Sequence, residues 1–114
     1  MVGKTKAATK AQQERFSELQ RIGCIACNVA TLGFRHAEIH HITRSGRRLG
    51  HDYTIPLCSW CHRGVPDGNL SIPEMDRLIG PSLARNKRRF VEVYGTELEL
   101  LERVENLREK HGTH

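Results

Sequence analysis

The chain contains few of the residues from which a large hydrophobic core is built. Only 38% of its 114 residues are apolar and only 5% are aromatic, so a single modest core is expected. A domain with so small a core often depends on a bound metal or on disulfides. We therefore expect one domain over residues 11–114, preceded by a flexible basic arm over residues 1–10.

Long apolar runs are also missing, and none reaches the length needed to cross a membrane. The opening segment, MVGKTKAATKAQQERF, lacks the apolar stretch of a secretory signal. We therefore predict a cytoplasmic protein without a membrane partner. In a reducing cytosol, paired cysteines indicate a metal site rather than disulfides.

Acidic residues are scarce in the first half of the chain. Residues 1–63 carry ten Lys and Arg against four Asp and Glu, whereas residues 64–114 carry eight against nine. Such an excess of positive charge favours an anionic partner such as nucleic acid. The alternative is a merely soluble basic protein. Four arginines within the His- and Cys-rich stretch from 38 to 64 favour DNA or RNA over that alternative.

The four cysteines form two pairs with identical spacing. Cys24 and Cys27 make one C-x2-C pair, and Cys58 and Cys61 make the other. Two intervening residues allow a tight turn to direct both sulfurs at one ion, and four thiolates complete a tetrahedral structural zinc site. The alternative is four unrelated thiols. The repeated spacing predicts zinc.

Three of the histidines beside or between these cysteine pairs are candidates for chemistry. His40 and His41 are adjacent in a predicted strand, so their side chains should point to opposite faces. His62 directly follows Cys61, which fixes its position beside the zinc. One ring of the pair and His62 can then hold a second metal, while the other ring serves as a general base. The alternatives are that one histidine replaces a cysteine on zinc, or that both are surface residues.

Apolar spacing, capping residues and turn residues predict the secondary structure. The first half of the chain should contain a helix over 11–22, a turn at CIAC, a strand at AEIHHI, a turn at TRSGRRLG, an extended segment at YTIPL and a short helix at CSWCHR. The second half should contain a helix from the capping box SIPE to Ile79, a helix over 83–94, and a last helix that begins at the capping box TELE and has Leu98, Leu101, Val104 and Leu107 on its inner face.

Two segments, HHI at 40–42 and LCSWCH at 57–62, carry a further signal. Together they resemble the HNH endonucleases, which have a ββα-metal fold often braced by a four-cysteine zinc. Over residues 22–102 the chain further resembles the phage recombination-enhancement nucleases, the Ref-like, RecA-dependent group, in RRLGHDYTIPLCSWCHRG and GPSLARNKRRFVEVYGTELELL. The resemblance implies a small α+β fold, with a zinc-braced core, one N-terminal helix and about three C-terminal helices.

The resemblance also implies roles for the three histidines. His40 and His62 match the ligands of a catalytic Mg²⁺ or Mn²⁺, and His41 matches the general base that activates water. An imidazole can take up a proton near neutral pH. A divalent ion polarises the phosphate and stabilises the leaving 3′-oxygen.

The chain departs from the family pattern at one position. The middle asparagine, which braces the loop between the strands, would fall near Tyr53, and His51 and Asp52 precede it. Two alternatives stay open: one of these residues braces the loop, or His51 is a third metal ligand.

Four arginines are expected around the cleft, where they would contact phosphates without reading bases: Arg44, Arg47, Arg48 and Arg63. The sequence thus predicts a metal-dependent DNA endonuclease or nickase of low sequence specificity, acting in phage recombination with a recombinase filament as partner. The alternative is a non-catalytic zinc module that binds nucleic acid or a protein.

Overall fold

The computed structural model describes residues 7–111. Six helices and four short strands follow one another within these residues: α1 Lys10–Ile22, α2 Ile25–Val29, β1 Glu38–His41, β2 Thr43–Arg44, β3 Arg47–Arg48, β4 Thr54–Leu57, α3 Ser59–Arg63, α4 Ile72–Leu78, α5 Lys87–Tyr94 and α6 Glu97–His111. The expected arm over residues 1–10 falls mostly on residues 1–6, which lie outside the described part. Lys10 is already helical.

The N-terminal helix α1 has a capping residue at each end, Thr9 before it and Gly23 after it. The Thr9 side chain accepts a hydrogen bond from the backbone N–H of Gln12, whose side chain bonds back to Thr9, and such a capping box satisfies two backbone donors. Gly23, with φ of 83°, ends the helix. The turn predicted at CIAC is instead the start of α2, with Cys24 at its cap position and the apolar residues Ile25 and Ala26 completely buried.

The four strands form two separate antiparallel pairs. β1 pairs with β4, so that His40 lies opposite Ile55 and His41 opposite Thr54. β2 and β3 form a small hairpin whose tip residues, Ser45 and Gly46, have φ of 53° and 78°. Two consecutive positive φ values are typical of the type I′ turn, which matches the twist of a hairpin. The turn predicted at TRSGRRLG is therefore a hairpin that projects between β1 and β4.

The short helix α3 follows β4 directly, and its first turn contains the second C-x2-C pair, Cys58 and Cys61. Cys58 caps the helix, and Gly64 ends it in the left-handed conformation with φ of 70°, where glycine is favoured. Trp60 is 1% exposed, and its indole N–H donates to the carbonyl of Gly80 at 2.8 Å. Because β4 pairs with β1 and leads directly into α3, these three elements lie next to one another. The predicted small α+β fold is confirmed.

Three helices complete the chain. The capping box of Ser71 and Glu74 opens α4 as predicted. Helix α5 begins at Lys87 rather than at residue 83, because Asn86 is its cap. The inner face predicted for α6 is wrong in one respect: Leu98 is 42% exposed, and Leu100 is buried instead. Helical spacing allows both choices, and packing of α6 on the rest of the core selects Leu100.

A buried cation connects the first helix, β4 and the last helix. Arg15 is 6% exposed and donates from Nε to the hydroxyl of Thr54 at 3.0 Å and from Nη2 to its carbonyl at 2.8 Å. Its Nη1 lies 2.8 Å from the carboxylate of Glu105. The Thr54 hydroxyl in turn donates to the carbonyl of His51. Arg15 therefore supports the loop that enters β4.

Candidate active site and metal centre

Four buried cysteines converge from two elements that are distant in sequence. Cys24 and Cys27 lie at the start of α2, and Cys58 and Cys61 lie at the start of α3. Their four sulfurs lie within 4.8 Å of one another, with Sγ of Cys27 and Cys61 4.0 Å apart. Zinc–sulfur bonds of about 2.3 Å in a tetrahedron place the sulfurs about 3.8 Å apart. The cysteines are thus positioned to bind one metal ion.

The charges around the sulfurs also fit a cation. Hydrogen bonds within the cluster lower the pKa of Cys58, that with Cys24 first, and the pKa of Cys24, that with Cys27 first. Hydrogen bonds, that with Cys24 first, raise the pKa of Cys27 and the pKa of Cys61. Two thiolates are therefore stabilised within the cluster, but four require a compensating cation. Arg35 adds positive charge beside Cys58. Burial lowers the pKa of the Arg35 guanidinium, but hydrogen bonds with the Cys58 sulfur and with Asp67 raise this pKa by a larger amount, so that the net shift is upward.

Two of the three candidate histidines lie together, each beside its own carboxylate. The ring centroids of His40 and His62 are 5.0 Å apart, and the ring planes are inclined at 68°. Nε2 of His40 lies 2.6 Å from Oε2 of Glu97, and Nδ1 of His62 lies 2.8 Å from Oε1 of Glu38. The contact with His40 lowers the pKa of Glu97, and Arg63, ahead of His62, lowers that of Glu38. Both carboxylates are therefore negative at neutral pH.

The third histidine has different neighbours. Nε2 of His41 lies 3.0 Å from Nδ1 of His51, and the edge of Phe16 contacts both rings. Burial, followed by the positive charge of Arg48, lowers the pKa of His41. His40 and His41 thus face different partners, as the alternation of side chains along a strand requires.

His51 lies beside His41, while the next two residues of the loop point elsewhere. Asp52 is exposed, and Tyr53 is 45% exposed. Within residues 7–111, only the four cysteines bring three or more His, Cys, Asp or Glu ligand atoms within 4.8 Å of one another. His51 therefore does not form such a group with His40 and His62. Both alternatives for His51, a brace of the loop and a third metal ligand, therefore stay predictions.

The four candidate phosphate-binding arginines are in two different situations. Arg44, Arg47 and Arg48 are exposed on the β2–β3 hairpin, and Arg44 lies directly opposite Arg47. Like charges in direct cross-strand register repel each other. Arg63 instead pairs with Glu38 through Nε and Nη2. The hairpin thus presents concentrated positive charge, whereas the charge of Arg63 is partly balanced.

A family model described as recombination enhancement, RecA-dependent nuclease matches residues 8–109. The chain belongs to this family. A search of curated proteins found no match. As a member of the RecA-dependent nuclease family the chain is a nuclease, so its substrate is nucleic acid. No helix within residues 7–111 is both long and apolar enough to cross a membrane.

Sequence reasoning missed the two carboxylates of this nuclease's candidate site. Glu38 precedes His40 by two residues in β1, so strand alternation could have placed both side chains on one face. Glu97 gave no comparable signal, because an acidic residue in the first turn of a helix is ordinarily explained by the helix dipole. Only the tertiary structure, in which the start of α6 lies beside β1, shows that Glu97 contacts His40.

Proposed function

We propose that this nuclease is an HNH endonuclease or nickase that hydrolyses phosphodiester bonds of DNA with a divalent metal. His40 and His62 are the metal ligands, and His41 is the general base. One observation carries this proposal: the rings of His40 and His62 lie 5.0 Å apart, while His41 lies beside His51 instead. The reaction needs two rings that bind the metal and a separate ring that takes the proton from water.

The donor set around His40 and His62 would hold a divalent ion such as Mn²⁺ through two nitrogens, whereas Mg²⁺, which prefers oxygen ligands, would depend here mainly on water and phosphate oxygens. Two imidazoles supported by carboxylates form a small, partly open set that leaves coordination positions for water and a phosphate oxygen. When bound, the ion would polarise the phosphate and stabilise the leaving 3′-oxygen. The rings of His40 and His62 would hold the ion, and the carboxylates of Glu97 and Glu38 keep these two rings in position.

His41 takes the proton from the attacking water. A lowered pKa keeps its imidazole neutral at pH 7, and a neutral ring has one nitrogen with a free lone pair. When Nε2–H of His41 donates to Nδ1 of His51, the lone pair is on Nδ1 of His41. His51 thereby braces the base and takes the place of the family's middle asparagine.

The four-cysteine centre would hold a structural zinc. Its sulfurs are buried, and four thiolates on one zinc would complete a closed tetrahedral set that leaves no position for a substrate. The centre joins the start of α2 to the start of α3, and α3 carries His62. Zinc binding therefore fixes the orientation of a proposed ligand of the other metal.

The hairpin arginines would bind the DNA backbone. Arg44, Arg47 and Arg48 are exposed, and within residues 7–111 they form no ion pair with a carboxylate. A phosphate between Arg44 and Arg47 would relieve their mutual repulsion. Contacts of this kind position DNA without reading its sequence. Low sequence specificity follows from such contacts. We extend the proposal to a cytoplasmic role in phage recombination with a recombinase filament as partner, and the family description supports the role in recombination and this partner.

A nicking assay tests the proposed function. Zinc-loaded protein is incubated with supercoiled plasmid and with single-stranded DNA carrying a recombinase filament, in Mg²⁺ or Mn²⁺, with and without EDTA. Nicked or linear product that disappears with EDTA is expected on at least one substrate. Folded protein that binds DNA but cleaves neither substrate would favour the non-catalytic zinc module instead.

A further inference from the structure

We propose that Glu97 is a positioning residue that fixes which nitrogen of His40 is presented to the metal. The inference rests on the proposed function, because His40 is one of the two metal ligands assigned there. Glu97 belongs to α6, outside the ββα core that contains the three histidines. The proposed site therefore extends to the C-terminal helix.

The contact between Glu97 and His40 is short and sheltered. Oε2 of Glu97 lies 2.6 Å from Nε2 of His40, and the side chains of His40 and Glu97 are 17% and 13% exposed. The residues are separated by 57 positions in the sequence. A carboxylate that loses this much solvent needs compensating partners. The contact is thus maintained by the tertiary structure rather than by local geometry.

Three features compensate the charge of Glu97. The N-terminal end of α6 favours a negative group in its first turn. Nζ of Lys87, at the start of α5, lies 3.6 Å from Oε1 of Glu97. His40 contacts the other oxygen. Because Lys87 is 70% exposed, its contribution is small, and His40 is the principal partner.

The position of the carboxylate determines the tautomer of a neutral His40. A carboxylate accepts but does not donate, so Nε2 of His40 must carry the proton, and the lone pair is on Nδ1. His62 has the opposite arrangement: Glu38 accepts from its Nδ1, and the lone pair is on Nε2. In metal sites, such carboxylate partners fix the ring orientation and raise the basicity of the ligand.

Side-chain NMR of the zinc-loaded protein without Mg²⁺ or Mn²⁺ tests this inference independently of activity. Long-range ¹⁵N–¹H spectra report the tautomer of His40 in the wild type, Glu97→Ala, Glu97→Gln and the control Glu102→Gln. Glu102 is an exposed acid on the same helix. Zinc content and thermal unfolding establish that each variant is folded, and calorimetry with Mn²⁺ measures the affinity of the site.

We expect an Nε2–H tautomer in the wild type and in Glu102→Gln, and a mixture of tautomers in Glu97→Ala. The Mn²⁺ affinity of Glu97→Ala should fall about 10–100-fold. Glu97→Gln keeps an acceptor oxygen, so it should keep the tautomer and most of the affinity. Unchanged His40 signals in a folded Glu97→Ala that binds Mn²⁺ normally would overturn this inference alone. A wild type that binds no Mn²⁺ would overturn the proposed function as well.

Discussion

His41 packs edge-on against His51, with Nε2 of His41 3.0 Å from Nδ1 of His51. The carbonyl of His51 accepts a hydrogen bond from the hydroxyl of Thr54, and that hydroxyl accepts one from buried Arg15. Phe16 contacts both rings from α1. The orientation of the proposed base therefore depends on a connected set of contacts that begins in the first helix.

Replacement of the bracing ring should impair cleavage without affecting either metal. We expect His51→Ala to lower kcat by about 10–100-fold, since loss of a supporting partner usually has effects of this size. Zinc content and Mn²⁺ affinity should be unchanged. His36→Ala is the matched control, because His36 is exposed and contacts Phe34 instead. Loss of Mn²⁺ affinity in His51→Ala would identify His51 as a metal ligand.

Loss of the base should separate catalysis from binding. His41→Ala is expected to lower the cleavage rate by about 10²–10⁴, the usual contribution of a positioned base. Its zinc content, Mn²⁺ affinity and DNA affinity should remain close to those of the wild type. The measurements are single-turnover cleavage, calorimetry and DNA-binding titration.

The two proposed ligands provide the contrast to His41. His40→Ala and His62→Ala should lose Mn²⁺ affinity together with activity, so that a high Mn²⁺ concentration partly restores cleavage. The same addition should not restore His41→Ala. If His41→Ala proves fully active, or if its affinity for the metal falls as in the other two variants, the assignment of roles is wrong.

The cysteine centre should contain one zinc per chain and should be required for folding. We expect Cys27→Ser to lose zinc and to unfold at a lower temperature, because binding energy at a structural site contributes directly to folding. Elemental analysis and thermal denaturation measure the two effects. A chelator strong enough to remove zinc should destabilise the wild type in the same way. Well-folded wild type without zinc would contradict the prediction.

The hairpin arginines should contribute affinity without specificity. Replacement of Arg44, Arg47 and Arg48 by Ala is expected to weaken DNA binding equally for unrelated sequences. The slope of log K against log salt should become shallower by about 0.9 for each duplex phosphate that the variant no longer neutralises. Arg77→Ala, an exposed replacement on α4, serves as control. Weaker binding confined to one DNA sequence would indicate base recognition by the hairpin.

Local spacing was sufficient to predict much of the fold and part of the site. The two C-x2-C pairs predicted the four-cysteine cluster, because a tight turn places both sulfurs of a pair on one side. Strand alternation predicted that His40 and His41 would face different partners. The capping boxes predicted at Ser71 and Thr96 form at the observed starts of α4 and α6. Each capping box, each cysteine pair and the alternation of His40 and His41 depends on residues within a few positions of one another, whereas the meeting of the two cysteine pairs was predicted from their matching chemistry.

Tertiary packing decided the rest. The contact of Glu97 with His40 and that of Arg15 with Glu105 join residues 57 and 90 positions apart, and no local pattern specifies such pairs. The inner face of α6 was mispredicted for the same reason. Leu98 and Leu100 are equally apolar, and only the surface against which α6 packs determines that Leu100 is buried. The sequence by itself determined which ligand types are present and where most turns fall, because these depend on residue identity and local spacing. The packing of helices, strands and loops determined which side chain supports each histidine: Glu97 of α6 for His40, the loop residue His51 for His41, and Glu38 of β1 for His62.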